Sequence, residues 1–172
     1  MKILNLRGKE KGFTLIELIA VVAITSLIGL GAATATFQMI AQSSKNGDHT
    51  TASQQAMSAI HWISRDAQMC QEVTPGGGSG FPLVLGWTGW DNSEYEVTYT
   101  IDDDELLRSY SVDAEPPLET LVARHINDSG DNTTCAFASD NVLVLKVTST
   151  VGTGDMAVSV SKIRGIVPRP AL

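Results

Sequence analysis

The run from Leu18 to Phe37, LIAVVAITSLIGLGAATATF, constrains this chain more than any other stretch: 20 residues without a charge or a proline. A helix rises 1.5 Å per residue, so about 20 apolar residues cross the hydrocarbon core of a bilayer. Before the run, Lys2, Arg7, Lys9 and Lys11 stand against Glu10, a local net charge of +3 over residues 1–12. The 172-residue chain has a net charge of −7, which leaves −10 for the remainder. The next basic residue after Lys11 is Lys45. Basic residues gather on the cytoplasmic side of a span, so the pattern puts the N-terminus in the cytoplasm and the acidic body outside. An acidic body repels nucleic acid phosphates, so no nucleic acid partner is expected for it.

An ordinary secretory signal peptide has the same basic and apolar order, and Ala32-Ala33-Thr34-Ala35 would serve as its small-residue cleavage site. Two features argue against it. The apolar run is long for a signal core, and Glu17 interrupts it after Phe13, Leu15 and Ile16. A carboxylate near the bilayer centre costs about 2.5–3.5 kcal/mol on insertion scales, and less near the edge. Cleavage after Gly12 would give Phe13 a free, cationic α-amine at the same depth, able to neutralise the Glu17 of a neighbouring chain. Alternatively, Glu17 is an interfacial residue that snorkels to the headgroups. Residue type alone leaves both readings open.

The stretch Lys11-Gly12-Phe13-Thr14-Leu15-Ile16-Glu17-Leu18-Ile19 resembles the processing motif of type IV prepilins and type II secretion pseudopilins. The resemblance is strong over residues 9 to about 40 and weak beyond. It implies that a prepilin peptidase cuts between Gly12 and Phe13 on the cytoplasmic side and methylates the new amine of Phe13. It implies that Glu17 supports subunit registration in the core of a helical filament. The partners it implies are other pilin or pseudopilin subunits, the prepilin peptidase, an inner-membrane assembly platform and, before assembly, membrane lipid. Many major pilins carry a proline about two-thirds along the membrane helix, but here no proline occurs between residues 13 and 74. That departure leans towards the minor pilins and pseudopilins, as does the short stretch Trp62 to Ala67, which is similar to a helix end closed by an Arg-Asp pair in minor pilins.

Beyond the membrane run, Ala52, Ala56, Ile60, Ile63, Ala67 and Cys70 recur at spacings of three and four, an amphipathic helix with one apolar face. The expected helix runs from about Thr14 to about Gln71, with a break allowed near Lys45 to Asp48. Arg65 and Asp66 are expected to hold neighbouring subunits or to be solvated. Thr74-Pro75 and the following glycines break the helix. β patterns follow. Pro82 to Trp87 is a short apolar run. Glu94 to Ile101 alternates and, after an Asp102-Asp103-Asp104 turn, pairs with Leu106 to Val112. Leu118 to Ile126 is ambiguous between strand and short helix. Asn127 to Thr134 reads as loop. Val142 to Thr148 is a candidate central strand that pairs with Met156 to Ile166, and Arg164 to Leu172 reads as an irregular tail.

The fold class is therefore α+β: a long N-terminal helix packed on an antiparallel sheet of four to six strands. The expected segments are a removable leader at 1–12, a transmembrane and filament-core helix at 13–40, its amphipathic continuation at 41–73 and an extracytoplasmic β-rich domain at 74–172. In an oxidising compartment Cys70 and Cys135 could form a disulfide; the alternative is two free, buried, small apolar side chains.

No catalytic constellation stands out. His49, His61 and His125 lack metal-ligand spacing, and HExxH, CxxC and GxSxG are absent. Residues 76–80 lack the lysine a phosphate-binding loop requires. The acidic run Asp102 to Glu105 lacks the twelve-residue calcium-loop pattern. No enzyme activity, metal or cofactor is expected. The contrasting reading is a membrane-anchored extracytoplasmic binding domain with an ordinary N-terminal anchor.

Overall fold

The computed structural model describes residues 12–113, 115–138 and 141–169. The basic leader up to Lys11 and the tail from Pro170 lie outside the described residues. The chain divides into two compact units between Ser43 and Ser44.

Helix α1 runs from Leu15 to Met69 without the break allowed near residue 46. A glycine inside a helix costs only about 1 kcal/mol, a small term within a 55-residue helix. In the first unit the hydroxyls along the apolar run turn back onto the helix. Thr25 donates to the Val21 carbonyl at 2.9 Å, Ser26 to Val22 at 2.7 Å, and Thr36 to Ala32 at 2.9 Å. These bonds hide polar hydrogens that lipid could not satisfy.

In the second unit, residues from Ala52 onward pack on β structure. All six stripe residues named above are buried, joined by Ala59, Ser64 and Asp66. Four of the contacts are alanines, Ala52, Ala56, Ala59 and Ala67, whose small side chains let helix and sheet approach closely. Five strands form one antiparallel sheet in chain order: β1 (Glu72–Pro75), β2 (Leu83–Thr88), β3 (Glu94–Asp102), β4 (Glu105–Val112) and β5 (Leu118–Ala123). A second sheet holds β6 (Thr134–Phe137), β7 (Leu143–Val151) and β8 (Val158–Ile166), with β7 central.

The β3–β4 hairpin turns at Asp103 and Asp104, which adopt φ of 45° and 63°. Aspartate tolerates this left-handed region better than most residues. β7 pairs with β8 from Val151↔Val158 to Leu143↔Ile166. The ambiguous segment at 118 is a strand, hydrogen-bonded to β4. Eight strands among the described residues exceed the expected four to six. The two extra ones are four residues each: β1 lies at the helix break and β6 begins at the end of the polar loop. Short strands held by a neighbour's backbone carry little alternation of their own. The tail expected from Arg164 also begins later, because β8 continues to Ile166.

One core of Leu83, Leu85, Val97, Tyr99, Leu106, Leu143, Leu145 and Val147 meets the stripe of α1. Gln55 and Ser58 extend the helix's grip on the sheet edge: Gln55 Oε1 accepts from the Arg124 backbone N–H at 2.8 Å, and the Ser58 hydroxyl donates to the Val122 carbonyl at 3.0 Å. The glycine-rich segment joins the two sheets. Cys135 donates its backbone N–H to the Ser79 carbonyl at 2.7 Å, and Gly80 sits at φ +89° where any Cβ would collide with the Cys135 carbonyl oxygen.

Candidate functional site

The start of α1 is built by Thr14. Its carbonyl accepts from the Glu17 and Leu18 backbone N–H groups at 3.1 and 3.2 Å, and its hydroxyl accepts from Glu17 N–H at 3.4 Å. Thr14-Leu15-Ile16-Glu17 is a capping-box sequence, a signal the motif reading passed over. Gly12 and Phe13 precede the helix; both are exposed, and no atom crowds the position of a Cβ on Gly12. The Gly12–Phe13 peptide is thus open to an enzyme, one step before regular structure begins. Glu17 lies in the first helical turn, where the exposed N–H groups favour a negative charge. Its carboxylate makes no hydrogen bond or ion pair among the described residues.

The surroundings of Glu17 are apolar and uncovered. Fourteen large apolar side chains from Phe13 to Ile40 are exposed, Phe13 by 80%. Burying each is worth about 1.5–3 kcal/mol, roughly 20–40 kcal/mol together. The carboxylate opposes this by only about 2.5–3.5 kcal/mol at most. The apolar term decides: this segment leaves water for lipid or for other helices, carrying Glu17 with it.

A second charged group is buried without lipid. Asp66 is 0% exposed. Its Oδ2 accepts from the Tyr99 hydroxyl at 2.6 Å and from Arg108 Nε at 2.6 Å. The Arg108 guanidinium carbon lies 5.1 Å from the Tyr110 ring centroid and 5.5 Å from that of Trp62. Burial works against the charge of Arg108, but the hydrogen bond and negative charge of Asp66, with Tyr99 beside them, together outweigh it and raise its proton affinity. Burial, then the bond to Asp66, raises the pKa of Tyr99. The expectation that Asp66 faces solvent or a neighbouring subunit is therefore corrected. It lies one helical turn from Ile63 on the core face, and that phase was the signal in the sequence. Arg65 stays outside, 4.3 Å over the Trp62 ring, with only a 3.5 Å contact to Asp66.

The disulfide expected between Cys70 and Cys135 is not formed in this structure. Both thiols are free and buried, and each serves as a small apolar core group. Cys70 Sγ lies 3.0 Å from the Ala67 carbonyl at the helix end. Burial pushes the Cys70 thiol up to about 11 and the Cys135 thiol up to about 12. Neither is a nucleophile at neutral pH.

A capped apolar helix with a lone acid in its first turn, followed by antiparallel β-sheet, is an α+β architecture of pilin-like kind and fits membrane anchoring. Residues 7–33 match the family model of the prokaryotic N-terminal methylation motif, the prepilin-type cleavage and methylation motif of type IV pilins and pseudopilins. The match ends within the first unit, so the β-rich unit carries no family assignment. No curated protein and no solved structure matches the chain.

Proposed function

We propose that this chain is a structural subunit of a type IV pilus or a type II secretion-like pseudopilus. A prepilin peptidase cleaves it between Gly12 and Phe13 and methylates Phe13. Residues 13–40 form the membrane span and later the filament core, residues 41–73 the amphipathic continuation, and residues 74–172 the extracytoplasmic domain. The observation that carries the reading is the matched motif over residues 7–33 together with an uncovered apolar helix whose Glu17 carboxylate has no partner among the described residues. The absence of a helix proline supports the minor class of subunit.

The mechanism is physical. In the membrane the apolar run is satisfied by lipid and the C-terminal unit lies outside the cytoplasm. Cleavage removes the basic leader that holds the N-terminus at the cytoplasmic face and creates a cationic amine at Phe13. When an assembly platform draws the helix from the bilayer, Glu17 of one subunit pairs with the Phe13 amine of its neighbour. Two charges that are costly alone in an apolar medium neutralise each other there, and the pairing selects one axial register. The chain itself performs no catalysis in this scheme.

The test is N-terminal sequencing of the mature protein from a host with the peptidase, together with Glu17→Ala. The expected result is a chain beginning at methylated Phe13, with the alanine variant processed but about tenfold or more depleted from sheared filaments, on the scale of a broken buried pair. A mature chain that keeps Met1, a start beyond Ala35, or undiminished incorporation of Glu17→Ala would overturn it.

A further inference from the structure

The inner face of the first sheet runs further than the helix that covers it. Cross-strand partners share a face, and on β2 and β3 that face reads Leu83↔Tyr99, Leu85↔Val97 and Trp87↔Tyr95. The first two pairs are fully buried. Trp87 and Tyr95 are only half-buried, because α1 ends at Met69 and leaves the third pair without a cover. Their rings stack at 5.3 Å with an interplanar angle of 3°. Both line a groove of about 680 Å³, within the roughly 300–1,000 Å³ of small-molecule sites.

The other walls come from three separate pieces of the unit. Gln68 and Met69 stand on the last turn of α1, Trp90 on the loop between β2 and β3, and Arg169 on the segment after β8. The loop is held by its own bonds. Gly89 donates its backbone N–H to the Ser93 carbonyl at 2.9 Å, and Asn92 donates to the Gly89 carbonyl at 3.2 Å. Asp91 Oδ1 accepts from the Ser93 N–H at 3.2 Å, and its Oδ2 accepts from the Tyr95 hydroxyl at 3.3 Å. Tyr95 therefore braces the Trp87 ring and the loop together. Trp90, at 105% exposure, buries nothing of its own. Ordered backbone keeps this large amphipathic ring in solvent beside the groove.

The polar groups of the groove are amides, a hydroxyl and one cation. Gln71 Oε1 accepts from the Thr88 backbone N–H at 3.2 Å, which orients its amide and leaves its N–H donors for the groove. Gln68 and Arg169 make no side-chain hydrogen bond or ion pair among the described residues. No carboxylate lines the groove among those residues. That set of groups discriminates among ligands. A cationic ligand would meet Arg169 with no counter-charge. A nucleic acid strand would find rings to stack on but one cation to hold its phosphates, on a body of net charge −10. A lipid chain would find one aliphatic wall, Met69. A sugar ring has a flat face of C–H groups for an indole and a rim of hydroxyls that both donate and accept, as amides do.

We infer that this groove binds a neutral saccharide chain, with ring faces on Trp90 and Trp87 and hydroxyls on Gln68, Gln71 and Arg169. The inference concerns the second unit alone and goes beyond the filament reading without resting on it. It gives the unit a ligand of its own, held where the sheet outruns the helix.

The full-length chain, in a zwitterionic detergent free of sugar headgroups, is titrated by calorimetry with cellotetraose, maltotetraose and tetra-N-acetylchitotetraose. The expected result is saturable binding of at least one of them, with a Kd of about 1 mM or tighter. Trp90→Ala is expected to weaken that binding about tenfold or more, and Gln68→Ala roughly three- to tenfold. Both side chains are exposed, so neither change moves the urea midpoint of the second unit, and an unchanged midpoint shows that the variants fold. Leu118→Ala, exposed on β5 and outside the lining, leaves the affinity unchanged. Failure of all three sugars to bind overturns the inference, as does binding undiminished by Trp90→Ala. Tighter binding of a decaproline peptide or of oligothymidylate assigns the groove to a protein or to a nucleic acid strand and overturns it as well.

Discussion

Helix α1 passes through two solvents. Up to Ser43 its large apolar residues face outward, with Leu27 and Ile28 about as exposed as an isolated helix allows. From Ala52 to Ala67 the apolar face is fully covered by strands. The first stretch is apolar around its whole circumference and stays unfinished until something apolar surrounds it. The second is apolar along one stripe and is finished by its own chain. One helix can therefore be stable as a domain element and still demand a membrane or a bundle. Circumference, not length, separates the two roles.

Mutations should divide along the same line. Asp66→Ala leaves the half-buried Arg108 without its counter-ion and the buried Tyr99 hydroxyl without its acceptor, and is expected to destabilise the second unit by about 3–5 kcal/mol, measured by urea unfolding in detergent. Ile63→Ala empties a fully buried site in the same stripe and costs about 2–5 kcal/mol. Gly80→Ala forces a left-handed position and a clash with the Cys135 carbonyl, and about 3 kcal/mol is expected in the same assay.

The buried thiols set a pH limit. Their folded pKa values lie above the ordinary value of 9.0, so below pH 9 they are neutral in both states and their contribution to stability is intact. As pH rises from 9 towards 11 the unfolded chain releases these protons first, and stability falls by about 2 kcal/mol for each thiol. An unfolding midpoint flat from pH 8 to 11 would show that the thiols are not buried as described. The smallest effect is expected in the first unit. Leu27→Ala should shift unfolding of the second unit by less than about 0.5 kcal/mol, because nothing in the folded chain covers it. A large shift there would erase the distinction between the two halves.

Long-period features were readable from residues alone. The membrane run, the buried stripe and the β3–β4 and β7–β8 pairs each repeat a simple pattern over eight or more residues. The Gly12–Glu17 segment was readable because a specific motif fills it. What escaped was set by partners distant in sequence. β1 and β6 exist because β2 and β7 offer backbone groups to pair with. Asp66 looked like half of a surface Arg-Asp dipeptide, and only Tyr99 and Arg108, 33 and 42 residues away, make its burial tolerable. The alignment of Glu72 with Glu96 across Gly86 likewise depends on strand register.

The Asp66 link has a mechanical consequence. Sliding the helix along the strands by one turn, 5.4 Å, or rotating it by one residue, would pull a carboxylate off its guanidinium inside a dry core. Apolar contacts alone would let alanine ridges slip past each other at modest cost. An ionic pin through that greasy surface converts a sliding joint into a keyed shaft. Torque or tension applied to residues 52–69 is then delivered to β3 and β4 without slippage.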